Sequence, residues 1–338
     1  MNPIADAINQ AGLTSAWTFL ALFLAASLLM VWRLEALLDH GLEGTALGTL
    51  VMPYCSGLGN LIFVWIIARQ HGPAKEVLTN CLVNNVTNLT FVLGLPALFW
   101  GLSLTAKAKA KKSTGKGKGA STAETEQKIN RLSLLLTLAA VVFFSSVTWT
   151  LGADGELDNG DGLVLIALFL FWQCFQVFDV LKHNVRQRHS FSPLFYLDVL
   201  VVVVAAYALY ESIDWLVTWL SAEKSGFISA ANLGWLSGWL MVVPNALMAF
   251  YYTWRRRADI AYASQVGDGH ICIPLCIGLS ALLQPIPVPK FFETGLIILI
   301  AAAVLHAMCV LMAGGLPRWM GWPLLAAYAW FVGTGLLG

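Results

Sequence analysis

Ala258–Leu282, ADIAYASQVGDGHICIPLCIGLSAL, repeats an earlier stretch of the chain, Ala74–Leu98, which reads AKEVLTNCLVNNVTNLTFVLGLPAL. The two stretches align without a gap at an offset of 184 residues, from residue 74 to residue 258. Identical residues stand at Ala74/Ala258, Gly94/Gly278, Leu95/Leu279, Ala97/Ala281 and Leu98/Leu282, and polar residues at Asn80/Ser264 and Asn84/Asp268. A duplicated apolar segment with a polar centre is typical of membrane proteins built from two related halves.

The composition indicates a membrane protein. Of the 338 residues, 58% are hydrophobic and 12% are charged, whereas soluble domains carry about 25% charged residues. We therefore expect the lipid bilayer to surround several segments of about 20 apolar residues each. With a net charge of +1, nucleic acid is not an expected partner. The six cysteines lie in apolar runs without the spacing of a zinc site, so we interpret them as core residues.

Ten hydrophobic segments follow one another along the chain. They are Ala16–Leu38, Thr45–Ala68, Glu76–Leu102, Leu132–Thr150, Gly162–Leu181, Pro193–Trp219, Ala231–Trp254, Ala258–Leu282, Glu293–Met312 and Met320–Leu337. A segment in lipid must satisfy its own backbone hydrogen bonds, so we predict a helix for each. The predicted fold class is an all-α membrane protein with ten transmembrane helices.

The basic residues predict the orientation of these segments. With the N-terminus outside, 16 of the 20 Lys and Arg residues fall on the inner side, and only Arg69, Lys75, Lys224 and Lys290 on the outer side. This predicts both termini outside and five segments in each half. Because five is odd, the second half enters from the opposite side, and the halves form two inverted five-helix repeats. The pattern suits a bacterial inner membrane or a plasma membrane, where we expect the protein to reside.

The chain divides into four parts on this basis. Residues 1–106 hold helices one to three with the first repeated stretch, and residues 107–130 form a basic cytoplasmic loop. Residues 131–192 hold helices four and five, and residues 193–338 the inverted second half with helices six to ten. The loop Lys107–Asn130 is rich in Lys, Gly, Ser and Thr, so we predict disorder or weak helicity. We interpret it as a solvated loop that fixes the topology, with a tether to anionic lipid as the alternative.

Polar side chains recur at helical spacing inside four of the segments. In the third segment Asn80, Asn84 and Asn88 share one helical face, and Ser264, Asp268 and Cys272 occupy the aligned positions of the eighth. The second segment adds Ser56 and Asn60, and the seventh adds Asn245 directly after Pro244. Proline and clustered glycine permit a helix break at these points, which is tolerated where the backbone faces protein or a watery cavity.

These residues predict a cation site at the membrane midplane. Asp268 is the only acid deep within the four polar segments, and a buried acid must be protonated, paired or bound to an ion. Amide and hydroxyl oxygens are further ligands for hard cations. The candidate ligands are Asp268, Asn60, Asn84, Asn88, Asn245, Ser56 and Ser264. The alternative is that each polar residue serves as a hydrogen bond between helices.

Three other polar residues in the segments receive structural interpretations. His270 falls on a different helical face from Asp268, so we expect it to pack rather than to act as a ligand. His306, in the ninth segment, is also interpreted as structural. Asp198, in the sixth segment, has no obvious partner in the sequence.

Over most of its length the chain resembles the cation/calcium antiporter superfamily, which includes sodium/calcium exchangers. The resemblance lies in the ten segments, the inverted halves, the repeated stretches and Leu157–Leu168, LDNGDGLVLIAL, at the start of the fifth segment. It implies motifs of the type Gly-Thr-Ser-x-Pro-Glu in the second and seventh helices, whose glutamates bind calcium. Here Asn245 stands at the position resembling the second glutamate, and Asn60 is the best counterpart of the first. The motif of the third and eighth helices is matched by Thr79–Asn88 and Ala263–Cys272, with Asn84 and Asp268 at the serine position.

The resemblance implies a secondary active cation antiporter that works by alternating access, with the first and sixth helices sliding against the repeat core. One carboxylate balances one monovalent cation or proton but leaves a divalent ion uncompensated, so we expect sodium or a proton rather than calcium. Calcium exchange with altered ligands is one alternative. Another is a transport-inactive binding or regulatory subunit, which would engage a protein partner through the Lys-rich loop. We expect no enzyme activity and no cofactor, because no catalytic or cofactor motif is present in the sequence.

Overall fold

The computed structural model of the protein describes residues 3–10, 12, 14–39, 52–104, 119–184 and 193–336. Helices account for most of this part. They are α1 (Pro3–Gln10), α2 (Ala16–Asp39), α3 (Met52–Arg69), α4 (Lys75–Trp100), α5 (Gly119–Leu151), α6 (Asn159–Asn184), α7 (Pro193–Ala222), α8 (Leu233–Trp254), α9 (Ala258–Leu283), α10 (Phe292–Ala313) and α11 (Gly321–Leu336). The helices α2 to α11 follow the ten predicted segments in order.

Within the described ranges, eight helices are long and apolar enough to cross a membrane, namely α2 and α4 to α10. The prediction of an all-α membrane protein is confirmed. The count of ten stays a prediction for two helices. The apolar part of α3 is shorter, Tyr54–Arg69, and the predicted start of its segment, residues 45–51, lies outside the described residues. Helix α11 is also short, at 16 residues.

One boundary differs from the prediction. We predicted a loop with disorder or weak helicity at Lys107–Asn130, whereas α5 begins at Gly119, so the second part of that segment is helical. The sequence ASTAETEQK that follows Gly119 is rich in Ala, Glu, Gln and Lys, which have high helix propensity. The Lys-rich part, residues 107–118, lies outside the described residues.

Four short strands reveal the two-fold arrangement of the halves. Strand β1 (Leu102–Ser103) follows α4 and pairs antiparallel with β4 (Gly315–Leu316), between α10 and α11. Strand β3 (Ile286–Pro287) follows α9 and pairs with β2 (Glu156–Leu157), between α5 and α6. Each repeated helix therefore ends by pairing with the opposite half, and β1 and β3 keep the offset of 184 residues seen in the sequence.

The repeated helices α4 and α9 form the centre of the molecule. In each of them, 78% of the most apolar stretch is buried inside the protein, against 17% in α6 and in α7. Helix α8 packs on α4, and α3 packs on α9. Helices α2 and α7 pack along each other at the periphery, where Phe19 stacks on Trp215 with ring centroids 4.1 Å apart. We call α2 and α7 the peripheral pair.

Glycines allow the central helices to approach closely. A Cβ at Gly238 of α8 would lie 2.8 Å from the Cβ of Val83 in α4, closer than carbon atoms pack. Two further contacts repeat between the halves: Gly278 of α9 meets Gly162 of α6, and Gly94 of α4 meets Gly321 of α11. Small residues at helix contacts are a known means of close packing in membranes. The duplicated glycines of the sequence thus mark equivalent contacts.

Candidate functional site

Five of the predicted ligands meet where α3, α4, α8 and α9 come together. They are Asn60, Asn84, Asn88, Asn245 and Asp268, which we call the polar cluster. Asn245 is 3% exposed and the other four are 0% exposed. Asn84 and Asp268, at aligned positions of the two halves, are thus bridged by Asn88.

Hydrogen bonds link the five residues in one chain. The Nδ2 of Asn84 donates to Asn60 Oδ1 at 3.0 Å, and the Nδ2 of Asn88 donates to Asn84 Oδ1 at 2.7 Å and to Asp268 Oδ2 at 3.0 Å. The Nδ2 of Asn245 lies 3.5 Å from the same Asp268 oxygen, which is a weak contact. The contacts Asn60–Asn84 and Asn245–Asp268 are equivalent in the two halves, and Asn88 connects them.

Buried oxygens in and beside the polar cluster lack a donor. Among the described residues, Asp268 Oδ1 and Asn88 Oδ1 have no hydrogen-bond partner, nor do Asn80 Oδ1 and Gln265 Oε1. A buried acceptor without a donor costs about 1–3 kcal/mol. Oxygen atoms of this kind are the ligands that hard cations take. The donors that do reach the Asp268 carboxylate from Asn88 and Asn245 are neutral amides, so these contacts leave its charge uncompensated.

The polar cluster lies at a matching irregularity in both repeated helices. Helix α4 contains a π turn at Asn88–Val92 and α9 contains one at Cys272–Ile277, so the two begin 184 residues apart. Each contains a residue that disturbs the normal ladder at the same aligned position. The Thr90 hydroxyl donates to Val86 O, and Pro274 has no backbone N–H. Single π turns inside helices occur frequently at functional sites.

The helix break that proline and glycine permit in the second and seventh segments is absent from the described parts of both. Helix α3 is continuous from Met52 to Arg69, and α8 runs through Pro244. Pro53 falls in the first turn of α3, where proline is tolerated. The irregular backbone is instead in the π turns of α4 and α9, so the polar cluster depends on side chains more than on freed carbonyls of α3 and α8.

The two predicted serines lie beside the polar cluster. Ser56 lines a cavity of about 20 Å³ between the peripheral pair and the helices α3 and α8, and this cavity reaches Asn245. A cavity of this size holds about one water molecule. Ser264 donates to Ala261 O at 3.2 Å and accepts a bond from Gln265 Nε2 at 2.8 Å.

Three residues outside our ligand set also lie beside the site. Asn80 Nδ2 donates to Ser237 Oγ at 3.0 Å, one turn before Asn84. Gln265 Nε2 donates to the backbone oxygen of Asn245 at 3.1 Å. Cys272 lies one turn after Asp268 in the same helix and is fully buried. Asn80 and Cys272 share the helical periodicity that we used, but Gln265 gives no such signal.

The cysteines partly follow the prediction. Cys81, Cys272, Cys276 and Cys309 are buried, Cys55 is half-buried, and Cys174 is exposed on a lipid-facing helix. Across the described ranges, no group of three or more His, Cys, Asp and Glu residues is arranged to hold a metal ion. A cation at the polar cluster would therefore be held by amide oxygens and one carboxylate.

The family model for sodium/calcium exchanger proteins matches residues 13–178 and 189–336. The chain belongs to the sodium/calcium exchanger family. The resemblance inferred from the repeated segments is thereby confirmed, and with it an integral membrane protein. No curated protein sequence matches this exchanger-family chain significantly.

Solved structures of the sodium-calcium exchanger NCX_Mj are similar to this exchanger-family protein in fold. The structure soaked with 100 mM Na+ and 10 mM Sr2+ gives a TM-score of 0.64 at 17% identity, covering 92% of this chain and 94% of the other. The structure soaked with zero Na+ and Ca2+ gives a TM-score of 0.65 at 16% identity, covering 94% and 96%. These likenesses extend over both halves and concern the fold.

Proposed function

We propose that the protein is a secondary active cation antiporter whose polar cluster binds a monovalent cation or a proton at Asp268. The observation that carries this proposal is the fully buried Asp268 carboxylate, with Oδ1 unpartnered among the described residues and Oδ2 facing two neutral amides. Family membership supports antiport as the activity. The lipid bilayer and inorganic cations are the partners that this function requires.

The charge of the polar cluster favours a monovalent ion. Its five members include one acid, and the positions resembling the family glutamates hold Asn60 and Asn245. Two unit charges 4 Å apart interact by about 4 kcal/mol at an effective dielectric constant of 20. A divalent ion at Asp268 would keep one uncompensated charge in a buried site, whereas sodium or a proton would be balanced.

An access route is consistent with this function. The cavity that reaches Asn245 is lined by α2 and α7 on one side and by α3 and α8 on the other, through residues such as Met30, Leu209 and Ser56. Movement of the peripheral pair against the central helices would widen or close this space. Such movement is the alternating access that we expect of the antiporter.

Cation-dependent stability of Asp268→Asn and wild-type protein tests the proposal. An ion that binds only the folded state raises its stability, by about 2.7 kcal/mol at a concentration 100 times the Kd. We expect sodium or a change in pH to shift the unfolding temperature of the wild type and to leave Asp268→Asn unaffected. In liposomes, an imposed sodium or proton gradient should drive cation flux in the wild type alone.

Glu223→Gln, which removes one acid from an exposed position, is the matched control and should behave as the wild type. Flux that survives Asp268→Asn unchanged would contradict the role of Asp268. Stabilisation by calcium alone, dependent on Asp268, would replace the monovalent ion by calcium. The absence of flux with every cation, together with a protein that co-purifies through residues 107–130, would favour the regulatory subunit.

A further inference from the structure

His306 of α10 lies outside the four helices of the polar cluster and is fully buried. Its Nε2 lies 2.8 Å from Leu89 O, and its Nδ1 lies 3.1 Å from Tyr262 Oη. A carbonyl oxygen only accepts, so Nε2 carries a proton, and in the neutral ring Nδ1 then accepts from the tyrosine hydroxyl. Both ring nitrogens are therefore paired in a single neutral tautomer.

Both partners of His306 belong to the helices that carry the polar cluster. Leu89 directly follows Asn88 in the π turn of α4. Tyr262 lies in α9, on the N-terminal side of Asp268, and is also fully buried. Its ring stands edge-on to the imidazole, with centroids 5.5 Å apart and an interplanar angle of 87°. One side chain of α10 thus connects the backbone of α4 to a side chain of α9 beside the site.

We propose that His306 is a positioning residue, which holds the π turn of α4 against α9 so that the Asn88 amide stays within reach of Asp268. This inference rests on the proposed function, since the positioned pair is the proposed cation site. The physical reason is that a π turn is an uncommon, single-turn departure from the helical ladder, and here a backbone oxygen within it, Leu89 O, accepts a bond from His306. Residues that hydrogen-bond behind a set of ligands orient those ligands and change the affinity of the site.

His270 offers a matched comparison within the same chain. It is 3% exposed, and its Nε2 lies 3.1 Å from a backbone oxygen, that of Thr137. Its ring packs on Trp172 at 5.0 Å between centroids. These contacts join α9 to α5 and α6 and leave the π turn of α4 untouched. A change at His270 therefore removes a buried histidine of similar surroundings without releasing Asn88.

The test compares His306→Phe, His306→Gln, Tyr262→Phe and the control His270→Phe in the full-length protein. Two quantities are measured: hydrogen exchange in the segment that contains the π turn of α4, and the sodium concentration for half-maximal stabilisation. We expect His306→Phe to speed exchange there and to raise that concentration about tenfold, as loss of buried hydrogen bonds does. His306→Gln, whose amide keeps a donor and an acceptor, should recover most of both values. Tyr262→Phe should show a smaller change, and maximal flux should stay within about twofold of the wild type in each variant.

The outcomes separate this inference from the proposed function. Unchanged exchange in the π turn of His306→Phe would overturn the inference, and Tyr262→Phe supplies the same readout if His306→Phe does not fold. Faster exchange with unaltered sodium dependence, or an equal rise in His270→Phe, would reduce His306 to a structural role and overturn positioning. If the wild type responds neither to a metal cation nor to pH, the proposed function fails, and exchange in the π turn alone decides whether His306 holds Asn88.

Discussion

At the scale of single residues, the polar cluster is asymmetric in charge although its positions are duplicated. Asn84 and Asp268 occupy aligned positions, and each contacts an asparagine of the preceding helix in its own half. The first contact joins two amides, whereas the second joins an amide to a carboxylate. The one acid of the polar cluster therefore lies in the second half, and the shortest hydrogen bond that it accepts within the cluster comes from Asn88 of the first half.

The substitution Asn245→Asp should convert the site from monovalent to divalent selectivity. It adds a carboxylate of the same size, with the altered atom 3.5 Å from Asp268 Oδ2. Like charges at this separation repel by several kcal/mol at an effective dielectric constant of about 20. We expect lower stability without divalent ions and a stabilisation by calcium that the wild type lacks, both measured by thermal unfolding across cations.

The same chemical change at an exposed position provides the control. Gln10→Glu, at the exposed end of α1, likewise replaces an amide by a carboxylate and should keep the cation preference of the wild type. A calcium response that is equally absent from Asn245→Asp and the wild type would mean that charge alone does not decide selectivity. The monovalent assignment would then lose its physical basis.

The residues of the polar cluster were largely predictable, and those around it were not. Helical spacing placed Asn84 and Asn88 on one face, and the duplication pointed to Asp268. The contact of His306 with Leu89 joins residues 217 positions apart, and no local pattern in one sequence carries such a pairing. Gln265 was not among the predicted ligands. Its partner is a backbone oxygen of another helix, and the spacing of side chains in the sequence gives no signal for such a contact. Ser56 and Ser264 have the hydroxyl oxygens that we considered as cation ligands, but the structure places both beside the polar cluster, outside its hydrogen-bond chain.

At the scale of elements, the helices follow hydrophobic runs, whereas their irregularities follow local backbone chemistry. The spans matched the apolar segments because lipid exposure and burial both favour apolar residues. The two π turns have different polarity, NLTFV in α4 and CIPLCI in α9, so hydropathy gives no common signal for them. Proline permits breaks in α3 and α8, but α8 continues through Pro244, which membrane helices tolerate where neighbouring groups satisfy the freed backbone.

Close packing of α8 on α4 should be sensitive to a single methyl group. In Gly238→Ala, the new Cβ would lie 2.8 Å from Val83 Cβ and 3.0 Å from Asn80 O. Helix α8 must then shift away from α4, and overpacking of this kind costs about 1–3 kcal/mol. We expect a lower unfolding temperature and weaker sodium stabilisation, because the shift moves Asn245 relative to Asp268.

Gly333→Ala is the matched control, since nothing lies within 4 Å of a Cβ at that position of α11. It should leave stability unchanged or raise it by about 0.5–1 kcal/mol, the usual gain of alanine over glycine in a helix. Equal changes in unfolding temperature in Gly238→Ala and Gly333→Ala would show that the close approach at Gly238 does not affect stability.

At the scale of the whole molecule, the peripheral pair is joined by polar contacts of two kinds. Arg33 of α2 pairs with Asp198 of α7 at 3.2 Å, which supplies the partner that the sequence did not indicate. This contact lies within the pair. Arg69 of α3 instead contacts Asp214 and Tyr210 of α7, and the next residue, Gln70, donates to Thr218 Oγ1 at 3.0 Å. These contacts join the peripheral pair to the central helices, so sliding of the pair must break them.

The substitution Arg69→Gln should change the populations of the positions that α7 takes relative to the central helices, whereas Arg33→Gln should not. An exposed ion pair contributes about 0.2–1 kcal/mol, so its loss should raise the population of the displaced position up to about fivefold. Spin labels at Ser221 of α7 and Lys75 of α4, in protein with Cys55 and Cys174 replaced by serine, report the distance distribution. Arg33→Gln should leave the distance between the two labels unchanged, because Arg33 and its partner Asp198 both belong to the peripheral pair and move together. Equal shifts in the two variants, or none in Arg69→Gln, would rule out sliding of the pair past α3.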